Sequence, residues 1–276
     1  MKDRSSHRAR VLRYGGDAGA RVDDQLAAEE PLEIRIAGQP LTLMMRTPGH
    51  DRDLALGFLL GEGIIRSADD VSALTVVPNG EHPDLENVMD VALSPSAPGV
   101  DQRWQRNFLS ASSCGLCGVS SIEAIHEAAP PLPDDDLSID PEVIYGLDAR
   151  LRAEQAIFAR TGGLHAAGLF TLEGEPVAVR EDIGRHNAVD KVIGHAAGRG
   201  LLPLDRHLLM VSGRTSFEIV QKSLQARIPV LVAVSAPSSL ARDLAQASNQ
   251  TLIGFLRGRS LNVYSGRQRI RESLSR

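Results

Sequence analysis

The C-terminal half of this 276-residue chain alternates strand and helix patterns, and this order constrains the fold more than any other feature. Strand patterns cover residues 207–211, 230–234 and 252–256, and helix patterns cover 187–197, 216–227 and 238–248. Strands that alternate with helices usually form a parallel sheet with the helices as crossovers. The sequence therefore predicts an α/β layer here, preceded by a helix over 141–160 and a hairpin over 165–180.

The N-terminal half has the pattern of a small α+β domain. Apolar and polar residues alternate from Leu32 to Met45 on either side of Gly38-Gln39-Pro40, which predicts a β-hairpin. A helix is predicted next, with Thr47-Pro48 as its cap and first-turn proline and with Gly61 near its end. Two further apolar runs, residues 71–77 and 88–93, are predicted strands.

These patterns divide the chain into four parts. Residues 1–30 are predicted to be poorly ordered, and residues 31–129 to form the α+β domain, which ends with a cysteine-containing loop and a short helix over 121–129. Residues 130–136, which combine prolines with three aspartates, are predicted to be a linker. Residues 137–276 are predicted to form the C-terminal α/β domain.

The two cysteines of the chain, Cys114 and Cys117, lie in one Cys-x-x-Cys among glycines and serines. Two cysteines exclude a disulfide framework and indicate thiol chemistry in a reducing compartment. At this spacing one thiolate can attack sulfur held on the other or share its charge, so we predict a nucleophilic pair. Half of a zinc site and two inert buried thiols remain as alternatives.

Two predicted strand-to-helix turns, 212–216 and 235–239, suit an anionic ligand. Both follow parallel strands, where α/β proteins gather ligands and free backbone N–H groups. We predict a shared phosphate-binding crevice, although ordinary helix capping explains either turn alone. The segment 180–187 also opens a helix, where Asn187 is either a simple cap or part of an anion site. His165 is a weaker candidate, since a structural histidine is the more frequent outcome.

Charge and hydropathy limit the partners of this chain. The net charge of −5 argues against a nucleic-acid or membrane-surface protein, although the tail from Arg257 to Arg276 is locally basic. No apolar segment near the N-terminus resembles a secretory signal, and no apolar run is long enough to span a bilayer. We therefore expect a cytoplasmic protein without nucleic-acid or membrane partners.

With these residues assembled, the chain closely resembles the FdhD family, the formate dehydrogenase accessory sulfurtransferases. The resemblance begins near Glu33 and covers nearly all of the chain after it. It is carried by several ordered blocks, namely residues 46–63, 113–118, 161–165, 180–191, 211–214 and 254–258.

The resemblance implies a specific activity. A cysteine desulfurase would load sulfur onto Cys114 as a persulfide, with Cys117 as the auxiliary thiol, and the sulfur would pass to a molybdenum or tungsten bis-guanine-dinucleotide cofactor before its insertion into formate dehydrogenase. The family also suggests a homodimer. The residues that would bind the cofactor by this resemblance are Phe255, Leu256, Arg257, Gly258, Arg259 and Ser260, with His165, Ser212, Gly213 and Arg214 lining the guanine nucleotide pocket.

Members of this family resemble cytidine deaminases in the fold of the second domain, so we expect a C-terminal α/β sandwich of that kind. Deaminase chemistry itself is not expected, because the sequence contains no His-x-Glu and Ser113 stands where that signature has proline. Two other functions stay open at this point. One is a thiol-disulfide oxidoreductase, and the other is a cofactor chaperone that does not transfer sulfur.

Overall fold

A computed structural model describes residues 4–15, 18–78, 86–100 and 130–271. The predicted cysteine loop and the predicted helix over 121–129 lie outside these ranges. None of the described helices combines the length and apolar character needed to cross a membrane.

The N-terminal residues differ from the prediction of a poorly ordered segment. Strand β1 (Ser6–Gly15) pairs antiparallel with β2 (Ala18–Ala27), and Val11 lies opposite Val22. The scattered charges that suggested disorder fit a ribbon of this kind, because most side chains of β1 are partly or fully exposed. A backbone hydrogen bond of 2.9 Å from Ala28 N to Ser5 O closes the base of the ribbon.

Beyond the ribbon, the described residues of the N-terminal half form a four-stranded sheet and one α-helix, in agreement with the pattern predicted for these residues. The strands are β3 (Glu30–Ile36), β4 (Gln39–Arg46), β5 (Val71–Val77) and β6 (Val88–Leu93), in the order β4-β3-β6-β5. Helix α1 (Asp51–Gly61) follows β4. Alternate apolar residues of the sheet, such as Leu32 and Ile34, are fully buried.

The described residues of the C-terminal half form five α-helices and a six-stranded sheet. The helices are α2 (Pro141–Ala153), α3 (Ala156–Thr161), α4 (Arg185–Gly198), α5 (Phe217–Gln225) and α6 (Ser239–Ala247). The strands are β7 (His165–Thr171), β8 (Pro176–Asp182), β9 (His207–Val211), β10 (Val230–Ala233), β11 (Thr251–Arg257) and β12 (Ser260–Ser265).

The six strands lie in the order β12-β11-β10-β9-β7-β8. Strands β9, β10 and β11 are parallel, as the alternation of helices and strands predicts. Strands β7 and β12 pair antiparallel with β9 and β11, so the sheet is mixed. The prediction did not include β12, whose exposed, polar sequence has no apolar run.

Both faces of this sheet are covered. Leu209 and Leu231 belong to a core cluster that also contains Leu32 of β3 and Leu54 of α1, whereas Leu208 and Val230 pack with Leu147 of α2 on the other face. Near-continuous apolar strands are expected when helices cover a parallel sheet on both sides. The first cluster draws residues from both halves of the chain.

The predicted helix over 141–160 is interrupted at Glu154 and Gln155. The carboxylate of Glu181 accepts hydrogen bonds of 2.9 and 2.7 Å from the backbone N–H groups of Ile157 and Phe158. It thereby satisfies first-turn donors of α3 and lets a second helix begin. This contact between distant residues leaves no local signal in the sequence.

The predicted start of α1 at Thr47-Pro48 is wrong, because the helix begins at Asp51 and its cap position is His50. Thr47 instead joins the two halves of the chain. Its backbone N–H donates to Asp182 Oδ2 at 3.1 Å, and its carbonyl oxygen accepts from Lys191 Nζ at 2.8 Å. Asp182 and Lys191 are themselves a buried ion pair at 2.7 Å.

Candidate functional site

The carboxyl ends of the parallel strands bring two turns together. Thr215, in the turn after β9, donates its backbone N–H to Ala236 O at 3.1 Å, and Ser238 N donates to Thr215 O at 2.9 Å. The turn after β10 therefore lies directly against the turn after β9. This is the edge of an α/β sheet at which ligands commonly bind.

Strand β7 begins at the same edge because it runs antiparallel to β9. Ser212 Oγ accepts a hydrogen bond of 2.9 Å from Ala166 N, and Ser212 N donates to Ala166 O at 2.9 Å. The His165 imidazole lies over Gly213, where a Cβ would stand 3.3 Å from Nδ1. The structure thus brings His165, Ser212 and Gly213 together, with the exposed Arg214 next in the chain.

The guanidinium groups of Arg185 and Arg214 give the surroundings of His165 a positive potential. Burial, followed by the charges of Arg185 and Arg214, lowers the pKa of His165. Within the described part of the chain, Arg185 Nε and Thr215 Oγ1 are buried and have no hydrogen-bond partner. Buried donors without partners are unusual in folded proteins, and an anion is one ligand that would satisfy them. We refer to the space bounded by residues 165, 185 and 212–216 as the crevice.

Ser216, His186 and Glu218 form a chain of polar contacts at the wall of the crevice. His186 Nε2 lies 2.9 Å from Ser216 Oγ, and His186 Nδ1 lies 3.3 Å from Glu218 Oε2. Ser216 occupies the cap position of α5, yet its side chain does not cap that helix. Its hydroxyl is instead hydrogen-bonded to His186.

A buried ionic cluster lies behind this chain of contacts. Lys222 Nζ is 2.9 Å from Asp190 Oδ1, 3.7 Å from Glu62 Oε1 and 3.9 Å from Glu218 Oε1. Burial raises the pKa of Asp190 to about 7 against the opposing charge of Lys222, and burial also raises the pKa of Glu218. The cluster places three carboxyl groups around a single ammonium group, so a proton is readily held there.

The other predicted cofactor residues lie at the end of β11 and in the turn to β12. Phe255 has a left-handed backbone (φ 54°), donates its N–H to Ser235 O at 3.2 Å and is 37% exposed. It therefore adjoins the turn after β10. Arg257 and Ser260 are exposed and face each other across the turn, which contains Gly258 at φ 55°.

Two residues of this stretch have side chains that already contact other parts of the protein. The Leu256 side chain is fully buried in the core cluster on the α2 face, so it offers a ligand only its backbone. Arg259 pairs with Glu142 of α2 and stacks over Tyr145 at 5.3 Å from the ring centre. Arg257, in contrast, has no ion-pair partner among the described residues and is the better placed of the two to meet an anion.

Cys114 and Cys117 lie outside the described residues, so their predicted role stays a prediction. Among the residues that are described, no group of three or more histidine, cysteine or carboxylate side chains is arranged to hold a metal ion. Asn187 is not the cap of α4, because that helix begins at Arg185. Its side chain donates to Met45 O at 2.8 Å and Asp182 Oδ1 at 2.9 Å.

Sequence reasoning missed Glu218 and Lys222 as members of the site, whereas Ser216 belongs to the predicted turn 212–216. Glu218 and Lys222 are spaced i,i+4 in a helix whose other core-facing residues, such as Ile219 and Val220, are apolar. Charged residues within a buried helix are a signal of pairing, since unpaired burial is costly. The buried charges of α5 are visible in the sequence. Their partners, Glu62 just after α1 and Asp190 of α4, can be identified only from the structure.

Comparison with known proteins agrees with this fold. The sulfur carrier protein FdhD of Streptomyces avermitilis is 51% identical over 271 residues, which cover 97% of this chain and 96% of that protein. The protein of the same name from Mycobacterium tuberculosis is 48% identical over 272 residues, 96% of this chain and 98% of the relative.

A crystal structure of a putative formate dehydrogenase accessory protein from Desulfotalea psychrophila is similar in fold. It has a TM-score of 0.78 and 23% sequence identity, over 96% of this chain and 99% of that chain. The family model described as FdhD/NarQ matches residues 27–271. A match of this extent, together with relatives that are half identical over almost their entire length, shows that the chain belongs to the FdhD/NarQ family.

Proposed function

We propose that this chain is a sulfur carrier that acts in the maturation of formate dehydrogenase. The observation that supports this most strongly is the identity of 51% and 48% with two proteins that bear the name sulfur carrier protein FdhD, over nearly the whole of each chain. The related crystal structure, described as a putative formate dehydrogenase accessory protein, is consistent with the same client.

Cys114 is the residue that carries the sulfur in this proposal. Its thiolate attacks the outer sulfur of a persulfide on a cysteine desulfurase, a new S–S bond forms on Cys114, and the desulfurase cysteine leaves as a thiolate. The cysteine pair is the only pair in the chain, and a flanking glycine stands on each side of Leu116-Cys117. The thiolate state that this step requires is the reactive form of cysteine.

The acceptor of the sulfur is a molybdenum or tungsten bis-guanine-dinucleotide cofactor, which is a substrate of this chain. Cys117 assists by attacking the inner sulfur of the Cys114 persulfide, which forms a Cys114–Cys117 disulfide and releases the outer sulfur as hydrosulfide. The crevice supports this acceptor class, because the guanidinium groups of Arg185 and Arg214 favour a phosphate-bearing guest.

Substitution of each cysteine tests the proposal. Cells that lack their own sulfur carrier and produce the Cys114→Ser protein are expected to have no formate dehydrogenase activity, whereas Cys117→Ser lowers activity without abolishing it. Unchanged circular dichroism of both variants would show that they fold. Full activity with Cys114→Ser would contradict the proposal and would favour a cofactor chaperone that does not transfer sulfur.

A further inference from the structure

Outside the crevice, three polar side chains meet where α1, α4 and β8 come together. Arg180 of β8 donates to Asp53 Oδ2 of α1 from Nε at 3.2 Å and from Nη2 at 3.0 Å. Its Nη2 also forms a hydrogen bond of 2.6 Å with Nδ1 of His195 in α4. Strand β8 and helix α4 belong to the C-terminal half, so these contacts join the two halves of the chain at α1.

The hydrogen bond between Arg180 and His195 determines where the imidazole holds its proton. A guanidinium group has donors only, so Nδ1 of His195 must accept and carries no hydrogen. The imidazole is then neutral, and its one N–H is on Nε2. The position of Arg180 therefore selects one tautomer of His195.

Protonation of His195 is incompatible with this contact. Nδ1 would then carry a hydrogen that points at a guanidinium nitrogen only 2.6 Å away. The same Nδ1 lies 3.2 Å from Asp53 Oδ2, which can accept that hydrogen. One ring nitrogen thus has two partners that exclude each other, and a single proton decides between them.

We propose that His195 is a proton-controlled switch in the contact between the two halves of the chain. In its neutral form His195 accepts from Arg180, and Arg180 holds Asp53. In its protonated form His195 donates from Nδ1 to Asp53 Oδ2, and the Arg180 guanidinium moves away from the imidazole and from part of its contact with Asp53. The inference does not depend on the proposed function, because it involves neither Cys114 nor the crevice.

The groups that face His195 determine the pH at which the switch operates. Burial is the largest influence and lowers the pKa of His195, and the charges of Arg180 and of Arg199 just after α4 act in the same direction. Asp53 opposes them by its charge and its hydrogen bond. His50, at the start of α1, lies 3.8 Å from Asp53 Oδ2 and is a second imidazole on the same carboxylate.

The sign of the effect follows from this lowered pKa. Because the folded value is below the ordinary value of 6.5, the neutral form and the Arg180 contact are complete above that pH. They are lost as the pH falls through the folded pKa of His195. The side chains of Arg180, His195 and Asp53 are 13%, 16% and 20% exposed, so water reaches the cluster and can deliver the proton.

Nuclear magnetic resonance of the full chain, with ¹⁵N in histidine and arginine, tests the proposal. At about pH 8 we expect His195 to show an unprotonated Nδ1 and a protonated Nε2. As the pH is lowered to about 5, Nδ1 gains its proton, and the Arg180 Nε signal shifts with the same midpoint.

Three variants separate the switch from a simple ion pair. His195→Asn places an amide oxygen near the position of Nδ1, where it accepts from Arg180 at every pH, so the Arg180 shift is lost. Arg180→Gln removes a charge that lowers the pKa of His195, so the midpoint moves up toward 6.5. Asp53→Asn removes the acceptor of the protonated form, so the midpoint moves down.

His50→Gln is the matched control. It removes the other imidazole beside Asp53 and leaves both partners of His195 Nδ1 in place. The Arg180 and His195 signals of this variant should still share one midpoint. Circular dichroism at about pH 8 shows whether each variant folds like the wild type.

Three outcomes would overturn the proposal. They are a wild-type His195 with its proton on Nδ1 at about pH 8, an Arg180 signal that does not move with His195, and a His195→Asn protein whose Arg180 signal still titrates as in the wild type. The first two are measured on the wild type alone. They therefore decide the question even if a variant fails to fold.

Discussion

At the scale of one residue, the burial of His186 makes the stability of the fold depend on pH. Its pKa in the folded protein is about 3, whereas an ordinary histidine has a pKa of 6.5. Because the folded value is the lower one, the unfolded chain takes up a proton first as the pH falls. The stability that this histidine contributes is complete above about pH 6.5 and is lost progressively toward about pH 3.

We therefore expect His186→Gln to reduce the acid sensitivity of the fold. Each unit of difference between the folded and the unfolded pKa corresponds to roughly 1.4 kcal/mol. The full effect of His186 on the free energy of unfolding is therefore on the order of 4 to 5 kcal/mol. Urea unfolding of the wild type and the variant at a series of pH values measures it. Parallel curves for the two proteins would contradict this account of His186.

At this scale the sequence predicted the turn that contains Ser212, Gly213 and Arg214, and the structure brings His165 beside that turn. The role of these residues in binding a cofactor stays a prediction. Glu218 was missed because two of the side chains that it approaches, His186 and Glu62, are distant from it in sequence. Leu256 was included by its position in a motif, although strand alternation turns its side chain into the core.

At the scale of elements, the crossing of α1 and α4 depends on two glycines. A Cβ on Gly57 would overlap the backbone carbonyl of Asp190, and a Cβ on Gly194 would overlap the backbone carbonyl of Asp53. Backbone atoms cannot move aside as the end of a flexible side chain can. The helices therefore touch backbone to backbone, and this contact places Asp190 against the end of α1.

We expect Gly57→Ala and Gly194→Ala each to lower the free energy of unfolding by more than about 2 kcal/mol, because the helices must separate. Gly146→Ala in α2 is the matched control, since the nearest atom to its added Cβ is 3.9 Å away. That variant should be more stable by about 0.5 to 1 kcal/mol. Thermal or urea unfolding of the three variants distinguishes the cases. Similar losses at all three positions would contradict the close crossing.

The elements with strong periodicity were predicted well, and those held by distant contacts were not. Strands β9 to β11 follow their apolar runs closely, because burial on both faces requires such runs. The break between α2 and α3 depends on Glu181, more than twenty residues further along the chain. The N-terminal ribbon combines many charges with short apolar repeats, a composition that also fits disorder.

At the scale of the whole molecule, the predicted linker is bound to the C-terminal half. Leu132 is buried in the core cluster shared by the two halves, and Asn249 donates to the carbonyl oxygens of Leu132 and Pro133. Asp135 accepts hydrogen bonds of 3.0 and 2.8 Å from Nε of the buried Arg269. Proline and like charge predicted a spacer from composition alone, but these contacts depend on the tertiary fold.

The anchored segment also fixes the position of Pro130, the first described residue after the range that contains Cys114. Residue 130 follows directly after the range that contains Cys114, and Arg227 Nη1 donates to the carbonyl oxygen of Pro130 at 2.8 Å. The central claim is that Cys114 holds a transferable sulfur atom. This claim concerns the whole molecule, because in the proposed function the thiol and the crevice act on the same substrate.

Mass spectrometry of the full chain after incubation with a cysteine desulfurase and cysteine tests that claim most directly. The account predicts the added mass of one sulfur atom on the peptide that contains Cys114. The addition should disappear on treatment with a reducing thiol, should be absent in Cys114→Ser and should persist in Cys117→Ser. An unmodified Cys114 peptide, or sulfur found only on Cys117, would contradict it.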